Sequence, residues 1–143
     1  MSRLAVLTAL LACLVSTVAM AQEPIRVIWI DYDNDQGETI VLFNPNPEPI
    51  NITAYRIESA GGQTFRFDWS GEATDIFIGG FDVVRVHSGP CGPSEDTRDF
   101  RWRTSEGEPR VEEVWRNEGD VAYLYDRREG GIPIDSYSYP NAN

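Results

Sequence analysis

The sequence predicts an all-β domain, an antiparallel sandwich or barrel. Three observations carry this reading. Short β-branched and aromatic runs recur throughout the chain after residue 24. Turn residues such as Gly61-Gly62, Gly79-Gly80 and Gly130-Gly131 separate them at close intervals. No window sustains an apolar repeat of 3.6 residues over a helix length. The 143 residues amount to one domain, and 41% hydrophobic content is enough for a packed core.

The chain opens on a leader. Arg3 gives a basic start, residues 4–18 are apolar and uncharged, and Ala19-Met20-Ala21 is a small-residue cleavage site. Residues 1–21 are therefore expected to be a signal peptide, leaving residues 22–143 as one exported domain, secreted, periplasmic or at the cell surface. The apolar run falls short of the ~20 residues that a spanning helix needs. An alternative processing site exists at Leu10-Leu11-Ala12-Cys13, where Cys13 would carry lipid. Cleavage after Ala21 would leave Cys91 as the sole cysteine, so the fold is expected to stand on its core without an internal disulfide.

The strands follow in order. Residues 25–30 (IRVIWI) are β-branched and aromatic, and an acidic loop, residues 31–38, comes next. Residues 39–43 (TIVLF) form a continuous apolar run, which predicts a strand buried on both faces. Three prolines at 45, 47 and 49 end it. Residues 50–53 and 55–57 alternate apolar and polar. Residues 63–69 alternate as well, placing Phe65, Phe67 and Trp69 on one face. Residues 82–87 make the next strand, and a long polar stretch, residues 88–110, surrounds Phe100 and Trp102. Residues 111–115 read as a short strand. Residues 121–126 and 132–139 flank a Gly-Gly turn and read as a hairpin.

Charge narrows the partners. Twenty-three acidic residues stand against twelve basic ones, a formal net charge of −11, and every basic residue is arginine. Such a balance opposes non-specific grip on nucleic acid or on an anionic membrane, since both require surplus cation.

The last third of the chain carries a family resemblance. Val86-His87-Ser88-Gly89, WRNEGDVAYLYD at 115–126, and Asp135-Ser136-Tyr137-Ser138-Tyr139 after a Gly-Gly turn together resemble a lamin-tail domain. Phe43-Asn44-Pro45 and Gly80 before Val83-Val84 are similar to the same family in order and motif. Its structural motif falls here on Trp115, Asn117, Gly119, Asp120, Asp135 and Tyr137. Arg116 departs from the family's usual Asn, and Cys91 lies in a loop that is usually Gly, Ser and Thr. The resemblance implies an immunoglobulin-like antiparallel β-sandwich. It implies that Trp115 ends a strand with its indole between the sheets, that Gly119 takes a positive φ, and that Asp120 ties the turn. Bacterial members occur in secreted or surface proteins, often as accessory modules beside nucleases or other hydrolases. The implied role is a non-enzymatic structural or binding module for another protein or an envelope polymer.

Several residues are candidates for chemistry. Asp31, Asp33, Asp35 and Glu38, with Asn34 among them, supply the hard oxygen ligands that Ca²⁺ prefers. The spacing opens like an EF-hand, then places Gln36 where that loop needs Gly and Leu42 where it needs a bidentate Glu. A calcium-stabilised extracellular module is the alternative this loop suggests; without it, no cofactor is implied. Phe100, Arg101, Trp102 and Arg103 interleave aromatic rings with cations, a pattern for contact with an anionic polymer. Trp102, Trp115, Tyr137 and Tyr139 are candidate sugar-stacking rings, and the alternation pattern assigns all but Trp102 to the core. His87, the only histidine, would centre a small secreted hydrolase with Ser88, Cys91 or Asp96. His87 and Ser88 are neighbours on a strand, however, and are expected to face opposite ways.

Overall fold

A computed structural model describes residues 21–70, 75–90, 99–127 and 130–140. The predicted leader, with Cys13, lies outside the described residues except for Ala21, and so do Cys91 and Asp96. The described residues form ten strands: β1 (Arg26–Asp31), β2 (Glu38–Phe43), β3 (Ile50–Asn51), β4 (Arg56–Ser59), β5 (Thr64–Arg66), β6 (Phe77–Ile78), β7 (Val83–Ser88), β8 (Asp99–Arg101), β9 (Asp120–Tyr125) and β10 (Asp135–Tyr139). One four-stranded sheet has the order β1-β2-β7-β8, and a second has the order β10-β9-β4-β5. The short pair β3-β6 forms a separate ribbon. Among the described residues, no helix is long and apolar enough to cross a membrane.

Period-two alternation decides which residues enter the core. In β2 the buried positions are Glu38, Ile40 and Leu42, while Thr39, Val41 and Phe43 lie half-buried on the outer face. The expected burial of this strand on both faces is thus corrected: the second sheet covers only one side. Val84, Val86 and Ser88 of β7 point inward in the same way. Every pairing is antiparallel except β7 with β8, which run parallel with Val86 opposite Phe100.

One predicted strand is cut short and another is absent. The alternation of residues 63–69 ends at Arg66, where Phe67–Ser70 wind into a 3-10 helix. The Phe67 amide donates to the Tyr55 carbonyl, which bends the chain away from its ladder. Phe67 stays fully buried, whereas Trp69 leaves the core and is half-exposed. Residues 111–115 form no strand. The amides of Val114 and Trp115 donate to a side chain rather than to a ladder.

The two sheets enclose a core that includes a chain of aromatic rings. Phe100 meets Phe67 at 5.3 Å between centroids, Phe67 meets Phe65 at 5.1 Å, Phe65 meets Trp102 at 5.5 Å, and Trp102 meets Trp115 at 5.7 Å. Most of these contacts are edge-to-face, each contributing about 0.5–1.5 kcal/mol beyond burial. On the opposite side of the sandwich β1 lies beside β10. The Val27 amide donates to Asp135 Oδ2 at 2.7 Å, and Tyr32 stacks on Tyr139 at 4.1 Å. A bulge in β1 between Val27 and Trp29 leaves both Ile28 and Trp29 exposed.

The proline-rich segment after β2 is held by one buried amide. Asn44 Nδ2 donates to the carbonyls of Glu48, Ile78 and Gly79, and its Oδ1 accepts from the Asn46 amide. This clamp brings the Pro47 carbonyl against Gly80. A Cβ at Gly80 would sit 1.9 Å from the Pro47 oxygen, so only glycine fits there. Gly80→Ala is expected to destabilise the domain by about 3 kcal/mol or more, the upper range for overpacking. Urea denaturation checks this, and a midpoint equal to wild type would refute the close approach.

Candidate functional site

The most unusual side chain in the core is Glu38. It stands at the start of β2, inward-facing and only 2% exposed. Ser88 Oγ on the neighbouring strand donates to its Oε2 at 2.7 Å. The Val114 amide donates to the same oxygen at 2.7 Å, and the Trp115 amide donates to Oε1 at 3.0 Å. Burial raises its pKa above the ordinary carboxylate value; the three hydrogen bonds oppose that shift, and nearby Glu113 adds to it. The carboxylate anchors the 111–115 segment to the first sheet and seats Trp115, fully buried, against Trp102.

The predicted calcium ligands do not form one ligand set. Asp31 closes β1 and accepts from Asn34 Nδ2 at 3.1 Å, while Asp33 and Asp35 are exposed in the following loop. Asp33, Asp35 and Glu38 line a cleft of about 200 Å³ together with Glu113 and Asn117. Among the described residues, no three His, Cys, Asp or Glu side chains are grouped so as to hold a metal. Glu38, turned inward, spends both oxygens on protein donors.

The Phe100–Arg103 pattern is corrected by alternation. Phe100 and Trp102 face the core at 9% and 1% exposure, so neither is a surface platform. The arginines face outward and hold backbone: Arg101 donates to the carbonyls of Gly89 and Arg110, and Arg103 donates to the Gly107 carbonyl at 2.7 Å. They brace a small hairpin, closed by a bridge between Arg103 and Pro109, rather than present a cationic face.

His87 and Ser88 separate as expected. Ser88 is buried on Glu38, whereas His87 lies on the outer face. Its Nδ1 is 2.9 Å from Thr39 Oγ1 on β2, and its Nε2 is 3.5 Å from Asp99 Oδ2 on β8. The imidazole links three strands across that face. Ser88 is no partner for it, and Cys91 and Asp96 lie outside the described residues.

The remaining motif residues are structural. Trp115 is fully buried, though in a loop rather than at a strand end. Gly119 has φ 129°, and a Cβ there would lie 2.9 Å from the Tyr139 carbonyl oxygen. Asp120 Oδ1 accepts from the Val121 amide, and its Oδ2 lies 3.7 Å from Arg116 Nε. Asn117 is exposed and Tyr137 packs at the core's edge. Tyr139, buried near Asp120 and Glu38, has its phenol pKa raised by desolvation first and by those carboxylates second.

A groove that the sequence reading missed crosses the end of the sandwich. It lies between the turn joining β4 to β5 and the segment from Trp102 to Arg116. One part, of about 350 Å³, is lined by Gln63, Trp69, Thr104 and Arg110, with Trp102 behind them. The other, of about 540 Å³, is lined by Glu113, Val114, Trp115 and Arg116. Gly61 and Gln63 belong to both. Thr104 Oγ1, Arg110 Nε and Trp115 Nε1 are buried without a hydrogen-bond partner. The alternation of residues 63–69 puts Trp69 on one face with Phe65 and Phe67. The sequence signal against that is Ser70-Gly71, a turn pair directly after the ring.

The chain belongs to the lamin tail domain family: the family model matches residues 19–141, nearly its whole length. No curated protein matches the chain. The matched span contains Glu38 and all three of its donors, so the buried carboxylate is part of the domain proper. A folded-state pKa above the unfolded value contributes stability that is present below about pH 4.5 and lost as pH rises through the folded pKa. Gln at this position cannot titrate, and it turns an NH₂ toward donors. Glu38→Gln is expected to cost about 1–3 kcal/mol. The gap from wild type should be widest below pH 4.5 and narrow toward neutrality. Denaturant melts of both proteins from pH 4 to 7 check this; a gap that widens with pH would contradict it.

Proposed function

We propose that this lamin tail domain is an exported, non-catalytic binding module that attaches to a component of the cell envelope, a protein or a polymer. The groove carries the proposal: a concave surface at the end of the sandwich, lined by the polar side chains of Gln63, Thr104, Arg110, Glu113 and Arg116 beside Trp69. Sandwich scaffolds commonly present function at their ends. The leader-like residues 1–21 support an exported location. His87 is held between Thr39 and Asp99 on a flat sheet face, an arrangement suited to bracing strands.

The test is sedimentation of the purified domain, residues 22–143, with envelope material from the producing cells. The domain is expected to pellet with that material, and Trp69→Ala to pellet less, with no soluble fragments released over hours. Absence of co-sedimentation would contradict the binding role. Steady release of fragments, lost in His87→Ala, would establish a hydrolase instead.

A further inference from the structure

We infer that the groove binds an uncharged polysaccharide, with a pyranose ring lying on the indole of Trp69. This rests on the binding-module reading and names its ligand class. Trp69 stands on the 3-10 helix after β5, half-exposed, and lines the groove. The accessible part of its indole offers an apolar surface, and the C–H face of a sugar ring matches it. The groups around it suit hydroxyls. Arg110 and Thr104 line the same space, and the Arg110 side chain is 25% exposed. The accessible end of its planar guanidinium fork can donate to a sugar hydroxyl. Gln63 adds a planar amide where the two parts of the groove meet.

Charge selects the neutral class. The guanidinium of Arg110 is already 3.4 Å from Glu112, a carboxylate 76% exposed, and Arg116 is 3.7 Å from Asp120. Glu113 lines the second part of the groove. With a net charge of −11 over the whole chain, a polyanion would approach against the field. A neutral sugar meets no such barrier, and Glu113 can accept from its hydroxyls. A peptide is the poorer fit, because the lining offers few apolar walls for its side chains besides Trp69. The second part extends the surface past Gln63 along Glu113 and Arg116. A chain of sugar units, rather than a monosaccharide, fits two adjoining cavities.

The experiment is a two-dimensional amide and indole NMR titration of residues 22–143 with three probes. These are the β-1,4-linked hexamer of glucose, the β-1,4-linked hexamer of N-acetylglucosamine, and polygalacturonate. At least one neutral hexamer is expected to give saturable shifts at the Trp69 indole and at Gln63 and Thr104. Trp69→Ala should weaken that binding tenfold or more with an unchanged melting temperature. Trp29→Ala, on the exposed outer face of β1, should leave it intact. Three results would overturn the inference: no saturable shift with either hexamer, shifts that persist in Trp69→Ala, or binding confined to polygalacturonate. If the hexamers fail while the domain still pellets with envelope material, the sugar assignment alone falls. If both fail, the binding role falls with it.

Discussion

A carboxylate inside the sandwich holds the irregular part of this fold in place. Residues 102–116 contain no strand and one isolated bridge, yet they carry two fully buried tryptophans and one wall of the groove. Backbone pairing ties their start to β7, where the Trp102 amide donates to the His87 carbonyl, but it gives residues 111–116 no ladder. Glu38 holds that far end, accepting from Val114 and Trp115 across 76 and 77 residues of sequence. Removing a carboxylate from water is costly, and each bond it accepts offsets part of that cost. The raised pKa marks what is not offset. A hydrophobic residue in its place would pack, but it would leave the two amides buried without partners.

The consequence reaches the surface. Trp115 rests edge-on against Trp102, which packs in turn at a tilt on Phe65, so the loop is keyed into the aromatic core once Glu38 has set its position. Arg101, between these elements, ties the Arg110 carbonyl to the Gly89 carbonyl and so fixes the far end of the same segment. Arg110, Glu113 and Arg116 then project from a backbone held at two points. A groove built this way is preorganised, which reduces the ordering cost that a ligand must overcome.

Much of this was legible in the sequence, and the failures have physical causes. As neighbours on a strand, His87 and Ser88 are expected to face opposite ways, and in the structure His87 lies on the outer face and Ser88 is buried. The family resemblance placed Trp115 in the core and a positive φ at Gly119. Residues 111–115 looked like a strand because Val and Trp favour strands, but the acceptor of their amides is a distant side chain that no local window contains. Glu38 was grouped with the acidic loop by composition. Counting back in steps of two from Leu42 and Ile40 would have put it inside. Trp102, read as a surface ring, is buried, because an arginine-flanked ring still alternates inward; Trp69, read on one face with Phe65 and Phe67, is turned away from them by the 3-10 helix.

The central claim is that one buried carboxylate positions the segment that forms the groove wall. Amide hydrogen exchange, compared between wild type and Glu38→Gln, tests it most directly. In wild type the Val114 and Trp115 amides should be protected despite lying outside any strand. In the variant at least one should exchange tenfold or more faster, relative to the ladder amides of Ile40, Leu42 and Val86. Equal loss across all five amides, or no loss at Val114 and Trp115, would contradict the account.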